Sequence, residues 1–326
     1  ANSYKPLEII NRNTIGSNNL YTNFTSISLS KNKIKSYVFL NYKKGDGFRP
    51  NSEFNSLNLF LKSEYDLNNS TKITAEITYL KYLAKQAGGL TDIMFIENPY
   101  QSNRSRNWFG VNWLLYNINY KHSFSESSKF SANFFGLNAS RNALGFRTNR
   151  VNQIDTMEER DLIKGDFKNF GIEFRFLTNY KFLNKKSTFV IGSKYYNSNN
   201  TSEQGPGSQE NDPDFNLKTT KYPDYNFQSS YKYPNKNLAF FSENIFYIND
   251  KISVTPGFRY EIIKTESDGF YKKTNKDAAG NVIYNEIINN TEQRKRNFIL
   301  LGVGASYKLS DSFEIYYNIS ENYRSV

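Results

Sequence analysis

The segment GIEFRFLTNYKF at residues 171–182 alternates between apolar and charged side chains with a period of two. Ile172 and Phe174 fall on one side of an extended chain, and Glu173 and Arg175 fall on the other. Successive side chains of a β-strand point to opposite faces, so this spacing predicts a strand with one apolar and one polar face. The same alternation recurs in about twelve segments, near residues 21–30, 33–44, 54–67, 72–84, 106–124, 129–141, 169–183, 187–197, 237–248, 252–265, 296–309 and 313–323.

Alternation alone leaves two architectures open. In a soluble sandwich the polar face meets solvent and the apolar face forms a shared core. In a large membrane barrel the apolar face meets lipid and the polar face lines the lumen. Strand length and aromatic content favour the barrel. The run at 106–124 far exceeds the usual strand of about five or six residues, and the 25 Tyr and 27 Phe gather toward strand ends, as interfacial girdles require.

The lengths of the connections decide between them. The short turns are Lys31–Lys33, Asn68–Thr71, Ser125–Lys129, Asn184–Ser187, Asn249–Lys251 and Ser310–Ser312. The long polar loops are Gly45–Glu53, Lys85–Ser105, Arg141–Asn169, Asn197–Asn237 and Glu266–Arg296. Outer-membrane barrels keep short turns on the periplasmic side and long loops outside. The sequence therefore predicts an all-β, transmembrane, antiparallel up-and-down β-barrel in the outer membrane of a bacterial cell.

The composition agrees with this prediction. No run approaches the roughly 20 consecutive apolar residues of a membrane helix, and a mean hydropathy of -0.69 suits strands with one wet face. The absence of Cys suits an envelope protein that does not rely on disulfides. The chain starts at Ala1 without a charged n-region, so any signal peptide is expected to be removed or to lie upstream. Pro256 falls inside a predicted strand, where a β-bulge is expected.

Several loop motifs carry a family resemblance. They are GDGFRPNS at 45–52, GGLTD at 88–92, SRNWF at 105–109, RNALGFR at 141–147, ERD at 159–161 and TPGFRYE at 255–261. In this order and spacing they resemble the TonB-dependent outer-membrane receptors of the ferric dicitrate type, over nearly the whole chain from about Pro6 to Tyr323. That family has a barrel of about 22 strands closed by an N-terminal plug. Residues 1–326 are then expected to be a single partial barrel domain, with the plug and the C-terminal strands missing from it.

The resemblance implies energised uptake of an anionic ferric chelate, most simply ferric dicitrate, with iron(III) as part of the transported ligand and no cofactor. It implies TonB as a partner through the plug. Two alternatives stay open: a TonB-dependent receptor for another siderophore, a sugar or a peptide, and a passive porin or surface barrel. Loops rich in Arg, Asn and Gly favour a small polar anion over a hydrophobic siderophore.

Binding such an anion requires fixed cationic and amide donors. Arginine holds a carboxylate through two charge-assisted hydrogen bonds, which contribute about 1.5–3 kcal/mol each. The resemblance places Arg106 and Arg147 in its better matched motifs, so these two rank first. The remaining candidates on the predicted loops are Arg104, Arg141, Arg160, Gln86 and Asn107. The alternative for each arginine is an ion pair with a loop acid such as Asp92, Glu158, Glu159 or Asp161.

Other function classes are disfavoured by the residues present. The only histidine, His122, adjoins Ser123, and neighbours on a strand point to opposite faces, so the pair predicts no nucleophilic enzyme. One His and no Cys exclude a metal site built on imidazole or thiolate ligands. The net charge of +11 favours anionic partners, among them lipopolysaccharide and outer-membrane lipid. The basic residues are scattered, which argues against nucleic acid.

Overall fold

The computed structural model describes residues 6–148 and 150–323 as one antiparallel sheet in which each strand pairs with the next strand along the chain. The thirteen strands are β1 Leu7–Gly16, β2 Leu20–Lys31, β3 Ile34–Gly45, β4 Phe54–Asn68, β5 Thr71–Lys85, β6 Trp108–Ser123, β7 Ser128–Gly145, β8 Asp161–Phe182, β9 Lys185–Pro206, β10 Ser229–Tyr247, β11 Ile252–Lys276, β12 Val282–Ser310 and β13 Phe313–Ser320. A short helix, α1 Asp92–Glu97, lies between β5 and β6. This order confirms the predicted all-β, up-and-down architecture. Within the described residues, no helix is long and apolar enough to cross a membrane.

The first strand, β1, precedes all the segments that are predicted from the sequence. The half of β1 toward the short-turn end of the sheet is apolar, since Leu7 and Ile9 lie opposite Leu29 and Ile27 of β2. The half toward the long-loop end carries asparagines whose side chains form hydrogen bonds with β2 side chains, so the hydrophobic alternation fades there. The turn at 17–19 that follows β1 is short yet lies at the long-loop end, which corrects the strict division into two kinds of end.

Three of the long loops are shorter than predicted. Strand β8 begins at Asp161, β9 continues to Pro206, β10 starts at Ser229, and β11 and β12 form a hairpin that closes only at the turn 277–281. The predicted extents Arg141–Asn169, Asn197–Asn237 and Glu266–Arg296 are therefore wrong. Above the apolar band both faces carry mostly polar residues, so the alternation fades while the backbone ladder continues.

The bulge expected at Pro256 is also wrong. Pro256 lies opposite Val303, and the register between β11 and β12 is the same on both sides of it. Toward β10 the paired residues resume with Glu243 opposite Gly257 and Phe246 opposite Val254, again without a shift. Omitting hydrogen bonds beside one proline costs less than a slip, because a slip of one residue would turn every side chain to the other face.

The register gives the sheet two chemically distinct faces. On the apolar face, aromatic rings follow one another across neighbouring strands, with Phe134 and Phe170 centroids 6.5 Å apart and Phe170 and Tyr195 centroids 6.3 Å apart. On the polar face, ion pairs link neighbouring strands, with Lys62 Nζ 3.0 Å from Glu76 Oε1. Among the described residues, the buried hydrophobic side chains are only Ala84, Ala87, Leu144, Leu162 and Ala239. The apolar surface therefore needs a lipid environment rather than a protein core.

We expect the two faces to respond differently to a lysine at the same level. Ala132 lies on the apolar face opposite Phe174, and its neighbour Asn133 lies on the polar face opposite Glu173. Ala132→Lys should lower the free energy of unfolding in phospholipid vesicles by about 2–4 kcal/mol, the range for a lysine facing the bilayer centre. Asn133→Lys, beside a carboxylate, should leave it nearly unchanged. Equal losses in urea titrations of both variants would contradict the assigned faces.

Candidate functional site

Three loops meet at the long-loop end of the sheet: 86–107 between β5 and β6, 146–160 between β7 and β8, and 207–228 between β9 and β10. They are built around the guanidinium groups of Arg104, Arg106 and Arg160, whose side chains belong to residues only 6 %, 1 % and 0 % exposed. We call these three residues the arginine clasp. Buried charges require partners, and each of these arginines has them.

Arg106 is held by a carboxylate and two carbonyl groups. Its Nε and Nη2 donate to the two carboxylate oxygens of Asp155 at 2.9 and 2.5 Å. Its Nη1 donates to the carbonyl oxygens of Glu158 and Gln209 at 3.1 and 2.6 Å. Burial alone would raise the pKa of Asp155, but hydrogen bonds from Arg106 and from the Met157 backbone outweigh it and lower that pKa. One side chain thus joins all three loops.

Arg160 is likewise surrounded by hydrogen-bond acceptors, which come from the loop after β9 and from Arg106. Its Nε and Nη2 donate to the carbonyl and hydroxyl oxygens of Ser208 at 2.9 and 2.5 Å, and its Nη1 donates to the carbonyl oxygen of Arg106 at 2.9 Å. The carboxylate of Asp212 lies 3.6 Å from Nη2. Burial and the neighbouring charge of Arg106 lower the pKa of Arg160. This contact fixes the start of β8 against the loop that follows β9.

Arg104 completes the clasp with neutral acceptors. Its Nη1 donates to the carbonyl oxygen of Gln153 at 2.9 Å and its Nη2 to that of Val151 at 3.3 Å. The guanidinium lies 5.1 Å from the ring centroid of Phe146. All three clasp arginines therefore point at protein acceptors, and Asp155 and Asp212 take the place of the acids considered from sequence. Ligand binding by Arg104, Arg106 and Arg160 stays a prediction, and it would require the clasp to open.

The remaining predicted residues of these loops divide into one structural residue and two accessible ones. Asn107 Oδ1 accepts from the Phe146 backbone N–H at 2.8 Å, so this amide fixes the end of β7. Gln86 is exposed. Arg147 has a side chain that is 50 % exposed, and its Nη1 lies 3.0 Å from Asp161 Oδ2. Arg147 can thus reach a ligand while one side of it stays anchored.

Asp161 connects that arginine to the sheet. Its carboxylate accepts from Gln204 Nε2 at 3.0 Å and from Tyr225 Oη at 3.1 Å. Burial, followed by the charge of Asp161, raises the pKa of Tyr225, so this phenol stays a donor at neutral pH. Arg147, Asp161, Gln204 and Tyr225 form one hydrogen-bonded group at the upper end of β8 and β9.

Arg141 lies apart from the loops, on the polar face of β7 and exposed. Across that face the register aligns it with Gly165, Ser202, Tyr231 and Gly269 on the next four strands. Of the two residues between Arg141 and Tyr231, Gly165 carries no side chain and Ser202 carries a short one. Within residues 6–148 and 150–323, Arg141 has no side-chain hydrogen bond or ion pair.

Four residues of this neighbourhood were not found from sequence. Tyr231 and Tyr233 have ring centroids 6.0 Å apart and nearly parallel planes. Arg294 and Arg296 lie on the same face of β12, opposite Thr265 and Ile263. These arginines line a recess of about 300 Å³ together with Tyr233, Thr265, Ser267 and two acidic residues, Glu266 and Glu292. We call Arg141, Tyr231, Tyr233, Arg294 and Arg296 the vestibule patch. Only the cross-strand register brings it together, so no local motif could have indicated it.

Amide groups lie within the vestibule patch and its borders. Asn235 is opposite Ser198 on β9 and Thr265 on β11, and Asn237 follows two residues later. The Oδ1 atoms of Asn200, Asn235 and Asn237 are buried without a hydrogen-bond partner. Arg294 is paired with Glu292 at 2.6 Å, whereas Arg296 stacks over the ring of Tyr323 at 6.0 Å. The donors that a polar anion requires on this wall are the guanidinium and tyrosine hydroxyl groups, because an amide Oδ1 only accepts hydrogen bonds.

His122 lies outside the site described above. His122 Nδ1 is 2.8 Å from Thr71 Oγ1 at the short-turn end of the sheet, far along the strand from every loop named above. No cluster of three or more His, Cys, Asp or Glu that could hold a metal ion occurs in the part of the chain that the structure describes.

Comparison with known proteins gives a consistent result. The family model described as TonB dependent receptor-like, beta-barrel, matches residues 47–326. Among solved structures, the ferric citrate transporter FecA in its unliganded form superposes with a TM-score of 0.71 at 17 % identity, covering 96 % of this chain and 43 % of that one. The ferric yersiniabactin uptake receptor FyuA from Yersinia pestis gives 0.72 at 11 % identity, with 95 % and 46 % covered.

The siderophore receptor PiuA from Acinetobacter baumannii gives a TM-score of 0.71 at 10 % identity, with 96 % of this chain and 49 % of that chain covered. The chain therefore spans less than half the length of these three structures. At such identities the similarity shows the fold alone. No curated protein sequence matches the chain.

The clasp predicts a local response to removal of Arg106. Arg106→Ala leaves the Asp155 carboxylate buried without its partner, and breaking a buried pair in this way costs about 3–5 kcal/mol. We expect fast hydrogen exchange in residues 150–160 and 207–217 with unchanged exchange in β2–β5. Arg141→Ala, which removes an exposed arginine, is the matched control and should change neither region. Slow loop exchange in Arg106→Ala would show that the loops do not depend on the clasp.

The lowered pKa of Asp155 predicts an acid-dependent opening. A carboxyl with a lowered folded-state pKa stabilises the fold above its unfolded value, near 3.9, and that stabilisation is lost as the pH falls through the folded value. Trp108 Nε1 donates to the carbonyl oxygen of Asn211 at 2.7 Å and reports on the loop. In a Trp113→Phe background, Trp108 fluorescence should stay constant from about pH 7 to 4 and change only below.

Asp155→Asn provides the control for that titration. Its fluorescence should already match the open loop at neutral pH, and the acid transition should disappear. A transition that persists unchanged in Asp155→Asn would assign the acid response to another carboxyl group.

Proposed function

The chain belongs to the TonB-dependent receptor-like β-barrel family of the bacterial outer membrane, and from this we propose that it is the barrel portion of a receptor for an anionic ferric chelate, with ferric dicitrate as the ligand. The observation that carries the proposal is the vestibule patch, where Arg141 and Arg296 share one face with tyrosine hydroxyl and asparagine amide groups. In this proposal iron(III) is cargo, and the protein itself contributes no cofactor.

The charge and geometry of the site suit a small, hydrated polyanion. Arg141 is exposed and free of acidic partners among the described residues, so it can bind a carboxylate without first breaking an ion pair. Arg147 borders the patch, because its partner Asp161 is hydrogen-bonded to Gln204 on β9. Charge-assisted bonds contribute about 1.5–3 kcal/mol each, so Arg141 and Arg147 together could supply a large part of the roughly 8 kcal/mol of a micromolar complex.

In this proposal the arginine clasp has a supporting role. Its buried hydrogen bonds hold the loops 146–160 and 207–228, which carry Arg147 and Tyr225, above the vestibule patch. A protein side chain that a rigid loop holds in place loses less conformational entropy when it binds a ligand than a side chain on a mobile loop. Arg106, ranked first from sequence, thus acts as a positioning residue, and Arg147 and Arg141 make the direct contacts.

The transport step in this proposal follows the family. Uptake is energised by TonB, which acts through an N-terminal plug that precedes the barrel in the whole receptor, and residues 1–326 form part of the barrel. The relatives named above include a ferric citrate transporter, a ferric yersiniabactin uptake receptor and a siderophore receptor. A passive porin or surface barrel is the alternative architecture, and a ligand flux that persists without TonB would favour it.

A second ligand class is favoured by one observation. Tyr231 and Tyr233 stack on each other, and Tyr271 lies on the same face two residues beyond Gly269. Stacked phenol rings offer a flat surface for an aromatic group. A siderophore with aromatic iron ligands would use these rings, whereas ferric dicitrate would use chiefly the arginines.

Calorimetric titration of the intact receptor in detergent tests the ligand and the site together. The titrants are ferric citrate, iron-free citrate, a hydroxamate siderophore and a catecholate siderophore. We expect saturable binding of ferric citrate alone, weakened at least tenfold, or about 1.4 kcal/mol, in Arg141→Ala, Arg147→Ala and Arg296→Ala. Lys168→Ala removes a positive charge at a similar level on the opposite face and should bind like the parent.

The outcomes separate the ligand from the site. If only the catecholate siderophore binds, and Tyr231→Ala loses that binding, the ligand would be an aromatic siderophore and the vestibule patch would still be its binding site. Ferric citrate binding that is unchanged in all three arginine variants would overturn the site. Arg106→Ala should weaken binding only to the extent that hydrogen exchange shows open loops, and weaker binding with closed loops would restore Arg106 as a contact residue.

A further inference from the structure

Three lysines lie directly opposite one another on three consecutive strands. Lys236 of β10 pairs in register with Lys264 of β11, and Lys264 pairs in register with Lys295 of β12. Residues opposite each other in a sheet point to the same face, with neighbouring strands about 4.7–4.9 Å apart. We call these three residues the lysine row. Like charges placed directly opposite destabilise a sheet, so the row is unfavourable unless an anion joins it.

The protein supplies little compensation for these charges. Glu266 Oε2 is 3.6 Å from Lys264 Nζ, and the same carboxylate accepts from Gln293. In the part of the chain that the structure describes, neither Lys236 nor Lys295 has an ion pair, and both are exposed. Within the described residues, only one of the three ammonium groups therefore lies near a carboxylate.

The position of the lysine row relates it to the membrane. Immediately toward the short-turn end, the same face carries Leu238 and Ile262, followed by Phe240, Tyr260 and Ile299. Phe240 and Ile299 are 45 % and 58 % exposed, as residues that face lipid are. Toward the long-loop end, the next residues on this face are polar, with Lys232 opposite Asp268. The row thus marks the upper edge of the apolar band.

The chemistry of that edge defines the partner. In an outer-membrane barrel with its long loops outside, the upper edge of the apolar band lies at the headgroup level of the outer leaflet. We propose that the lysine row binds the phosphate groups of the outer-leaflet glycolipid, lipopolysaccharide. Lysine presents a compact charge on a flexible stem, so three of them can surround phosphates of differing geometry. The acyl chains of the same lipid would cover Phe240, Tyr260 and Ile299.

This site is separate from the proposed ligand site. Side chains of Thr265 and Arg296, next to the row along β11 and β12, point to the polar face, whereas the lysine row points to the apolar face. The inference rests on the barrel fold and its outer-membrane location, and it holds whatever ligand the vestibule patch binds. The apolar residues beside the row favour a lipid-borne phosphate over a free phosphate ion, which would gain nothing from them.

The test uses the triple variant Lys236→Gln, Lys264→Gln and Lys295→Gln in the intact receptor. The matched control is Lys232→Gln, Lys251→Gln and Lys273→Gln, which removes the same charge from the same hairpins outside the row. Each protein is placed in phosphatidylcholine nanodiscs alone, with purified lipopolysaccharide, or with dephosphorylated lipopolysaccharide. The measurements are the thermal midpoint and the apparent lipopolysaccharide affinity from native mass spectrometry.

The proposal predicts a reversal between the two lipid conditions. In phosphatidylcholine alone, the row variant should be at least as stable as the parent, because like-charge repulsion is relieved. With lipopolysaccharide, the parent should gain stability, and the row variant should bind at least tenfold more weakly. The control variant should follow the parent in both lipids, and dephosphorylated lipopolysaccharide should stabilise neither.

Three outcomes would overturn the proposal. One is equal lipopolysaccharide affinity in the parent and the row variant. Another is an equal loss of affinity in the row variant and the control variant, which would indicate a general effect of net charge. The last is equal stabilisation of the parent by inorganic phosphate and by lipopolysaccharide at the same phosphate concentration, which would assign the row to a free anion.

Discussion

The structure depends on one constraint: backbone N–H and C=O groups inside a membrane must bond to each other, because no water is present to receive them. The chain meets it by pairing each of its thirteen strands with the next one in sequence. The register of this ladder determines which side chains lie on the lipid-facing side of the sheet and which lie on the polar face. A register shift of one residue would exchange the two sets. The unshifted register around Pro256 shows how strongly the ladder is maintained.

Above the apolar band, electrostatics replaces hydrophobic burial as the organising interaction. The loops have almost no apolar core, and their most completely buried large side chains are Arg106 and Arg160. Removing guanidinium groups from water is costly, and the cost is offset only where carboxylate and carbonyl acceptors surround them. Such a cluster is specific in geometry and sensitive to the loss of any member, which suits loops that must hold accessible groups such as Arg147 in place.

The sheet also brings together residues that are distant in sequence. Arg141 and Arg296 are separated by five strand crossings, yet both lie on the polar face of the sheet. On the other face, the same register aligns Lys236, Lys264 and Lys295. Adjacent residues of one strand therefore face opposite sides of the sheet: Lys264 lies on the apolar face and Thr265 on the polar face.

The sequence by itself determined the all-β class, the antiparallel order, most strand cores and the long-loop end, because these follow from a period of two and from turn chemistry. It missed β1 and underestimated the lengths of β8 to β12, since the strand segments above the membrane carry mostly polar residues on both faces. It named Arg106 and Arg160 but not their burial, because their acceptors Asp155 and Ser208 lie in distant loops. Only the tertiary structure decided the vestibule patch and the lysine row, because both are products of cross-strand register, which joins residues that no local pattern connects.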